Sequence, residues 1–132
     1  MFDQEILNSQ VKADRFPFPC GGDITLAVRN KSYALGPVML HLVMKAGSVI
    51  PAHLHEGVAE VLYVVEGDFI NESKRHAPGT SLHVKAGKLH GPHSTENGCT
   101  LLVLWTDKAA TADANLDDFQ IPPGHVPMSL AS

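Results

Sequence analysis

From residue 23 onward, apolar and polar positions alternate with a period of two, in short runs broken by Gly and Pro. ITLAVR (24–29) is the first run, and PVMLHLVMKAG (37–47) the second, with Val38, Leu40, Leu42 and Met44 on one face. EVLYVVEG (60–67) is dense in β-formers and ends at a glycine, as a strand entering a hairpin does. In it Glu60, Leu62, Val64 and Glu66 share one face, and Val61, Tyr63 and Val65 the other. GDFINES, TSLHV and GCTLLVLW supply further strands, while ESKRHAPG (72–79) reads as a polar loop. Upstream, Phe2, Ile6, Leu7 and Val11 form a weak helical stripe, and PFPCGG (17–22) is turn-rich. After Thr106 the composition turns to Ala, Asp, Pro and Gly, with room for one short element. The pattern predicts an all-β fold, a small jelly-roll barrel over 23–106. An N-terminal arm or short helix (1–22) precedes it and an irregular peripheral tail (107–132) follows.

Length and charge narrow the picture. A chain of 132 residues, 44% hydrophobic and 18% charged, suits one folded domain and excludes disorder. A net charge of −4 leaves no basic footprint for nucleic acid or anionic lipid. No apolar run approaches the ~20 residues that span a bilayer. Asp3 and Glu5 stand where a secretory leader would be basic, so a cytoplasmic location is expected. Cys20 and Cys99 then read as free thiols.

The candidate chemistry lies in GSVIPAHLHEGVAEVLYVVEG (47–67). In an extended chain residues i and i+2 project to the same side, so His53 and His55 could grip one ion. Glu60 opens the next strand, where a carboxylate turned into a barrel needs a partner such as a cation. Downstream, His90 and His93 bracket a Gly-Pro turn, and either could complete the set. Imidazole with carboxylate suits Fe(II), Mn(II), Ni(II), Cu(II) or Zn(II). Spacing alone fits two surface histidines before a buried strand equally well. Of the others, His41 reads as structural or solvent-facing, His76 and His125 as solvated, and His83 as able to face the cavity.

The same stretch resembles the first signature of the cupin superfamily, G-x5-H-x-H-x3,4-E-x6-G, through Gly47, His53, His55, Glu60 and Gly67. The second signature, G-x5-P-x-G-x2-H-x3-N, is met at Gly79, Gly87 and His90, with Lys85 in place of the proline and Ser94 in place of the asparagine. Together the signatures and their strands cover residues 38–105, about half the chain. The resemblance implies a cupin barrel with one divalent metal, Fe(II) foremost, held by His53, His55, Glu60 and His90. His93 then sits beside it to orient a ligand or relay a proton.

The segment from VLYVVEG to TLLVLW is also similar to ChrR-type anti-sigma-factor cupins. It is similar too to dioxygenases that cleave acetylacetone or 2,4'-dihydroxyacetophenone. That implies a non-haem Fe(II) dioxygenase taking O2 and a small diketone or hydroxyketone, with Glu60 either a ligand or, like His93, a catalytic base. The alternative it implies is a metal- or ligand-binding sensor module without catalysis. Against a regulator of the ChrR kind, only about twenty residues precede the first strand, and they hold no His/Cys cluster for a second zinc domain. A sugar-phosphate isomerase would want cationic groups in the cavity, and only Lys45, Lys85 and Lys88 lie near the motifs. Cupins commonly pair through an edge strand or an exchanged N-terminal arm, so a homodimer is expected.

Overall fold

The computed structural model describes residues 13–31, 36–116 and 118–124. The helical stripe expected over residues 2–11 and His125 lie outside them. Ten strands and one short helix follow in order: β1 (Asp14–Arg15), β2 (Ile24–Asn30), β3 (Val38–Met44), β4 (Val49–Ile50), β5 (Glu60–Gly67), β6 (Phe69–Asn71), β7 (Lys74–His76), β8 (Ser81–Val84), β9 (His93–Ser94), β10 (Cys99–Trp105) and α1 (Ala112–Leu116). All pairings are antiparallel. Six strands form one sheet in the order β1-β2-β3-β10-β5-β8, and four form a second, β4-β9-β6-β7. The class is the expected all-β jelly roll, as two sheets rather than one closed cylinder.

Alternation decides which face is inside. Along β3, Val38, Leu40, Leu42 and Met44 are buried while Met39, His41 and Val43 are half-buried. β10 lies between β3 and β5 and turns Leu101, Val103 and Trp105 inward. These meet Leu62 and Val64 of β5, with Ile50 and Phe69 contributed by the smaller sheet. Burying an aliphatic or aromatic side chain of this size is worth about 1.5–3 kcal/mol each, so this core supplies most of the cohesion.

Two features depart from simple periodicity. A bulge between Thr100 and Leu101 leaves Val65 without a partner and sets Glu66 opposite Thr100. The Glu66 carboxylate therefore accepts the Thr100 hydroxyl at 3.1 Å and is exposed, instead of following Glu60 inward. The second departure is β7, within the segment expected to be loop. Glu72 and Ser73 both take positive φ, 51° and 68°, which makes a two-residue hairpin turn. Lys74–His76 then returns along β6 as a charged edge strand, a composition that discourages pairing with other chains.

Gly67 and Asp68 lock the corner after β5. Gly67 has φ +86°, and a Cβ there would lie 2.1 Å from the Gly98 carbonyl oxygen. Gly47 has φ +78° but open space around it. Asp68 accepts from the Thr95 hydroxyl (2.8 Å) and from the backbone N–H of Glu96 and Asn97 (3.0 Å each), and Arg75 pairs with it at 2.7 Å. Burial opposes its charge, but these donors outweigh burial and hold the carboxyl below its usual range.

Gly67→Ala is expected to cost at least about 3 kcal/mol or prevent folding, because fixed backbone is in the way. Gly47→Ala should cost only about 1–2 kcal/mol, the left-handed strain alone. Urea denaturation of both variants measures the difference. Asp68→Ala should cost about 2 kcal/mol at pH 7. Because the folded carboxyl titrates below the unfolded one, its stabilisation is full above the ordinary Asp value and lost as pH falls through the folded value. The gap to Asp68→Asn in denaturation midpoints therefore narrows below about pH 4.

Candidate metal centre

His53 and His55 lie in the extended connection between β4 and β5, and His90 lies before β9. The backbone of His53 pairs with that of His90 in both directions, N–H to carbonyl at 2.9 Å each way. Residues directly opposed in an antiparallel bridge turn their side chains to the same side. Leu54 pairs in the same manner with Gln120, at 2.9 and 3.0 Å, so His55 returns to the His53 side. Glu60, the first residue of β5, points inward as the alternation predicts. The four residues are each at most 7% exposed, and their ligating atoms lie within 4.8 Å of one another.

Each histidine is held by its outer nitrogen. Nδ1 of His53 lies 2.8 Å from the Pro51 carbonyl, that of His55 2.5 Å from the Asp118 carbonyl, and that of His90 3.3 Å from the Lys88 carbonyl. A carbonyl only accepts, so each Nδ1 carries the hydrogen and donates it. The Nε2 lone pairs are left for the centre, the tautomer that a metal-binding imidazole needs. Glu60 Oε2 sits 3.4 Å from His55 Nε2 and 3.1 Å from His90 Nε2. Neither Glu60 Oε2 nor His90 Nε2 has an aligned hydrogen-bond partner, though both are fully buried. An ion among them would satisfy these atoms at once. Burial works to raise the Glu60 carboxyl, and only a hydrogen bond from His90 or a positive charge on His55 or His90 would outweigh it and hold it at about 2. With the Nε2 lone pairs turned inward, that role falls to a cation. Burial, seconded by His90, lowers His53 to about 4. The donors are therefore a carboxylate and a neutral imidazole near neutral pH, as the borderline divalent metals prefer.

His93 lies outside this set yet faces the same space. Its ring is 5.4 Å from His53 and 5.2 Å from His90, and neither nitrogen has a hydrogen-bond partner. Burial first, and then His53, keep it neutral. The remaining described histidines stay away. His41 contacts Arg29 at 3.0 Å, and His83, exposed on the outer face, bonds the Ser81 hydroxyl at 3.0 Å and does not line the cavity. His76, expected to be solvated, is half-buried beside Phe69.

Beside the cluster is a cavity of about 50 Å3. Its walls are apolar, with Leu40, Leu62, Val103 and Phe119 among them, and no Lys or Arg. That is far below the roughly 300–1,000 Å3 of sites for drug-sized ligands, so a small uncharged molecule fits best. Lys45, Lys85 and Lys88, the cations nearest the motifs, are all exposed.

Several residues here carry no signal in the spacing of the motifs. Phe119, from the segment after α1, stacks on His53 at 4.2 Å and on Phe18 at 4.6 Å. Asp118 holds His55 through its carbonyl and the loop at Glu56 and Gly57 through its carboxylate. Trp105 lines the cavity from the end of β10. A single aromatic in the irregular tail, within NLDDFQIPP, is the one sequence hint of the first two.

Comparison with known proteins places this geometry. The solved structures that resemble it include an acetylacetone dioxygenase from Acinetobacter johnsonii (TM-score 0.64, 16% identity, covering 80% of this chain and 75% of that one). The polyketide cyclase RemF from Streptomyces resistomycificus is similar at TM-score 0.63 and 19% identity, covering 80% and 81%. The anti-sigma ChrR of Rhodobacter sphaeroides, solved in complex with SigE, matches at TM-score 0.54 and 24% identity, over 66% of this chain and 45% of that one. At such identities these likenesses establish the fold. No curated protein matches in sequence. The ChrR Cupin-like domain family matches residues 12–108, nearly three-quarters of the sequence, and the chain belongs to that family.

Proposed function

We propose that the chain is a metal-dependent cupin enzyme, a non-haem Fe(II) dioxygenase for a small diketone or hydroxyketone. The observation that carries the metal is the set of three imidazoles, each fixed through Nδ1 by a backbone carbonyl, around an orphaned buried carboxylate. His53, His55, Glu60 and His90 would hold the ion. When bound, it would supply Lewis acidity toward a chelating carbonyl compound and an electron route to O2. Glu60 serves as a ligand in this reading, since its Oε2 lies 3.4 and 3.1 Å from the Nε2 atoms of His55 and His90. His93 is the general base. Neutral, buried and without a partner on either nitrogen, it can take the proton from the carbon flanked by two oxygen functions. The Leu and Val side chains around the cavity exclude water and favour an apolar substrate.

The family match favours one other reading, a sensor that binds metal or ligand without turnover. Elemental analysis of protein purified without added metal separates the two. Stoichiometric iron, with O2 uptake on β-diketones or hydroxyketones, supports the enzyme. Tightly held zinc and no uptake supports the sensor. In either case His53→Ala and His90→Ala should lose most of the metal, and full occupancy in His53→Ala would remove the site from consideration. His93→Gln should retain metal and lose turnover by about 10²-fold or more. Asp118→Ala frees the loop beside His55 and should weaken metal affinity about tenfold with little effect on the fold, read by competition with a chelator.

A further inference from the structure

Outside the four clustered donors, the cavity wall carries polar atoms at only two described side chains, His93 and Trp105. Trp105 is the last residue of β10, directly opposite Glu60 across the β5–β10 ladder. Paired residues share a face, so the indole stands beside the carboxylate at the inner surface, with its ring 6.1 Å from that of His55. The side chain is 2% exposed and its Nε1 has no hydrogen-bond partner. Buried indole N–H groups ordinarily find an acceptor, because leaving one unmade forfeits hydration with nothing in exchange. The Leu, Ile, Val and Phe side chains of the wall cannot accept, and Glu60 and the histidines, which can, make no hydrogen bond to it.

We propose that Trp105 is a ligand-binding residue, donating its indole N–H to one oxygen of the small molecule in the cavity. The inference rests on the reading of this site as one for a small carbonyl compound, and it adds the residue that selects for the oxygen. An indole N–H donates and never accepts, so the atom it meets must carry a lone pair. A carbonyl or enolate oxygen placed beside Glu60 qualifies, with its hydrocarbon remainder among the aliphatic walls. A hydrocarbon of the same shape would leave the N–H unmet and bind more weakly. Trp105 thereby distinguishes oxygenated from plain apolar molecules, which the aliphatic walls cannot do.

The chain contains one tryptophan, so its indole N–H gives a single resonance. With zinc-loaded, 15N-labelled protein, addition of acetylacetone or 2,4'-dihydroxyacetophenone should move that resonance downfield, whereas zinc alone should leave it in place. Trp105→Phe, loaded with zinc, should bind the same ketones about 5- to 100-fold more weakly by calorimetry while taking up as much zinc as wild type. An indole resonance that ignores both ketones overturns the proposal. So does a resonance that shifts on zinc alone together with zinc loss in Trp105→Phe, since the N–H would then serve Glu60. Equal ketone affinity in wild type and Trp105→Phe overturns it as well. A wild-type chain that takes up no zinc defeats the metal reading separately. The indole titration is then made on the metal-free chain, with the same outcomes.

Discussion

The burial of the Glu60 carboxylate inside an apolar jelly roll governs the arrangement around it. Taking such a group out of water costs several kcal/mol unless cations or donors surround it. The fold sets the Nε2 atoms of His55 and His90 3.4 and 3.1 Å from it with their hydrogens on the outer nitrogens, an arrangement that a cation would complete. Three backbone carbonyls, of Pro51, Asp118 and Lys88, accept from the outer nitrogens of His53, His55 and His90 respectively. Each comes from a different stretch of chain, so the centre is also where separate parts of the fold are tied together. What remains unsatisfied after all this, Glu60 Oε2 and His90 Nε2, faces the interior of the cluster.

The scaffold makes this arrangement stiff. The reciprocal His53–His90 backbone bridge sets two rings side by side without a regular strand at either. Leu54 bridging Gln120 does the same for the far side of the connection and holds Phe119 over His53. Binding sites built on such supports hold their geometry before a ligand arrives, which lowers the ordering cost of binding. The cavity is small and mostly apolar, with Glu60, His53, His55, His93 and Trp105 as its polar residues. Beyond the four clustered donors, the polar side chains in this space are those of His93 and Trp105.

How much was legible beforehand follows from the range of each interaction. The strands β2, β3, β5, β8 and β10 could be read because their alternation is local. β7 escaped because its turn uses Glu72 and Ser73 instead of Asn-Gly, and its charges look like loop. The two-residue strands β1, β4 and β9 are too short to carry a period. Glu66 was expected beside Glu60 and turns outward, since a bulge changes the parity of every residue beyond it. Alternation with Leu82 and Val84 left the face of His83 open. The pairing of Leu82 with Leu62 sets Leu82 on the inside and His83 on the outside.

By itself the sequence determined the all-β class, the inward face of the long strands and three of the candidate donors, His53, His55 and Glu60, because alternation and motif spacing act within a few residues. It left open whether His90 or His93 joined His53, His55 and Glu60 when judged by spacing alone. Tertiary structure decided that, through a backbone bridge across 37 residues of chain that sets His90 against His53 and leaves His93 across the cavity. It also brought Asp118, Phe119 and Trp105 to the centre. Such placements depend on which carbonyl meets which ring nitrogen and which strand lies opposite Glu60, and those are fixed only when distant segments pack.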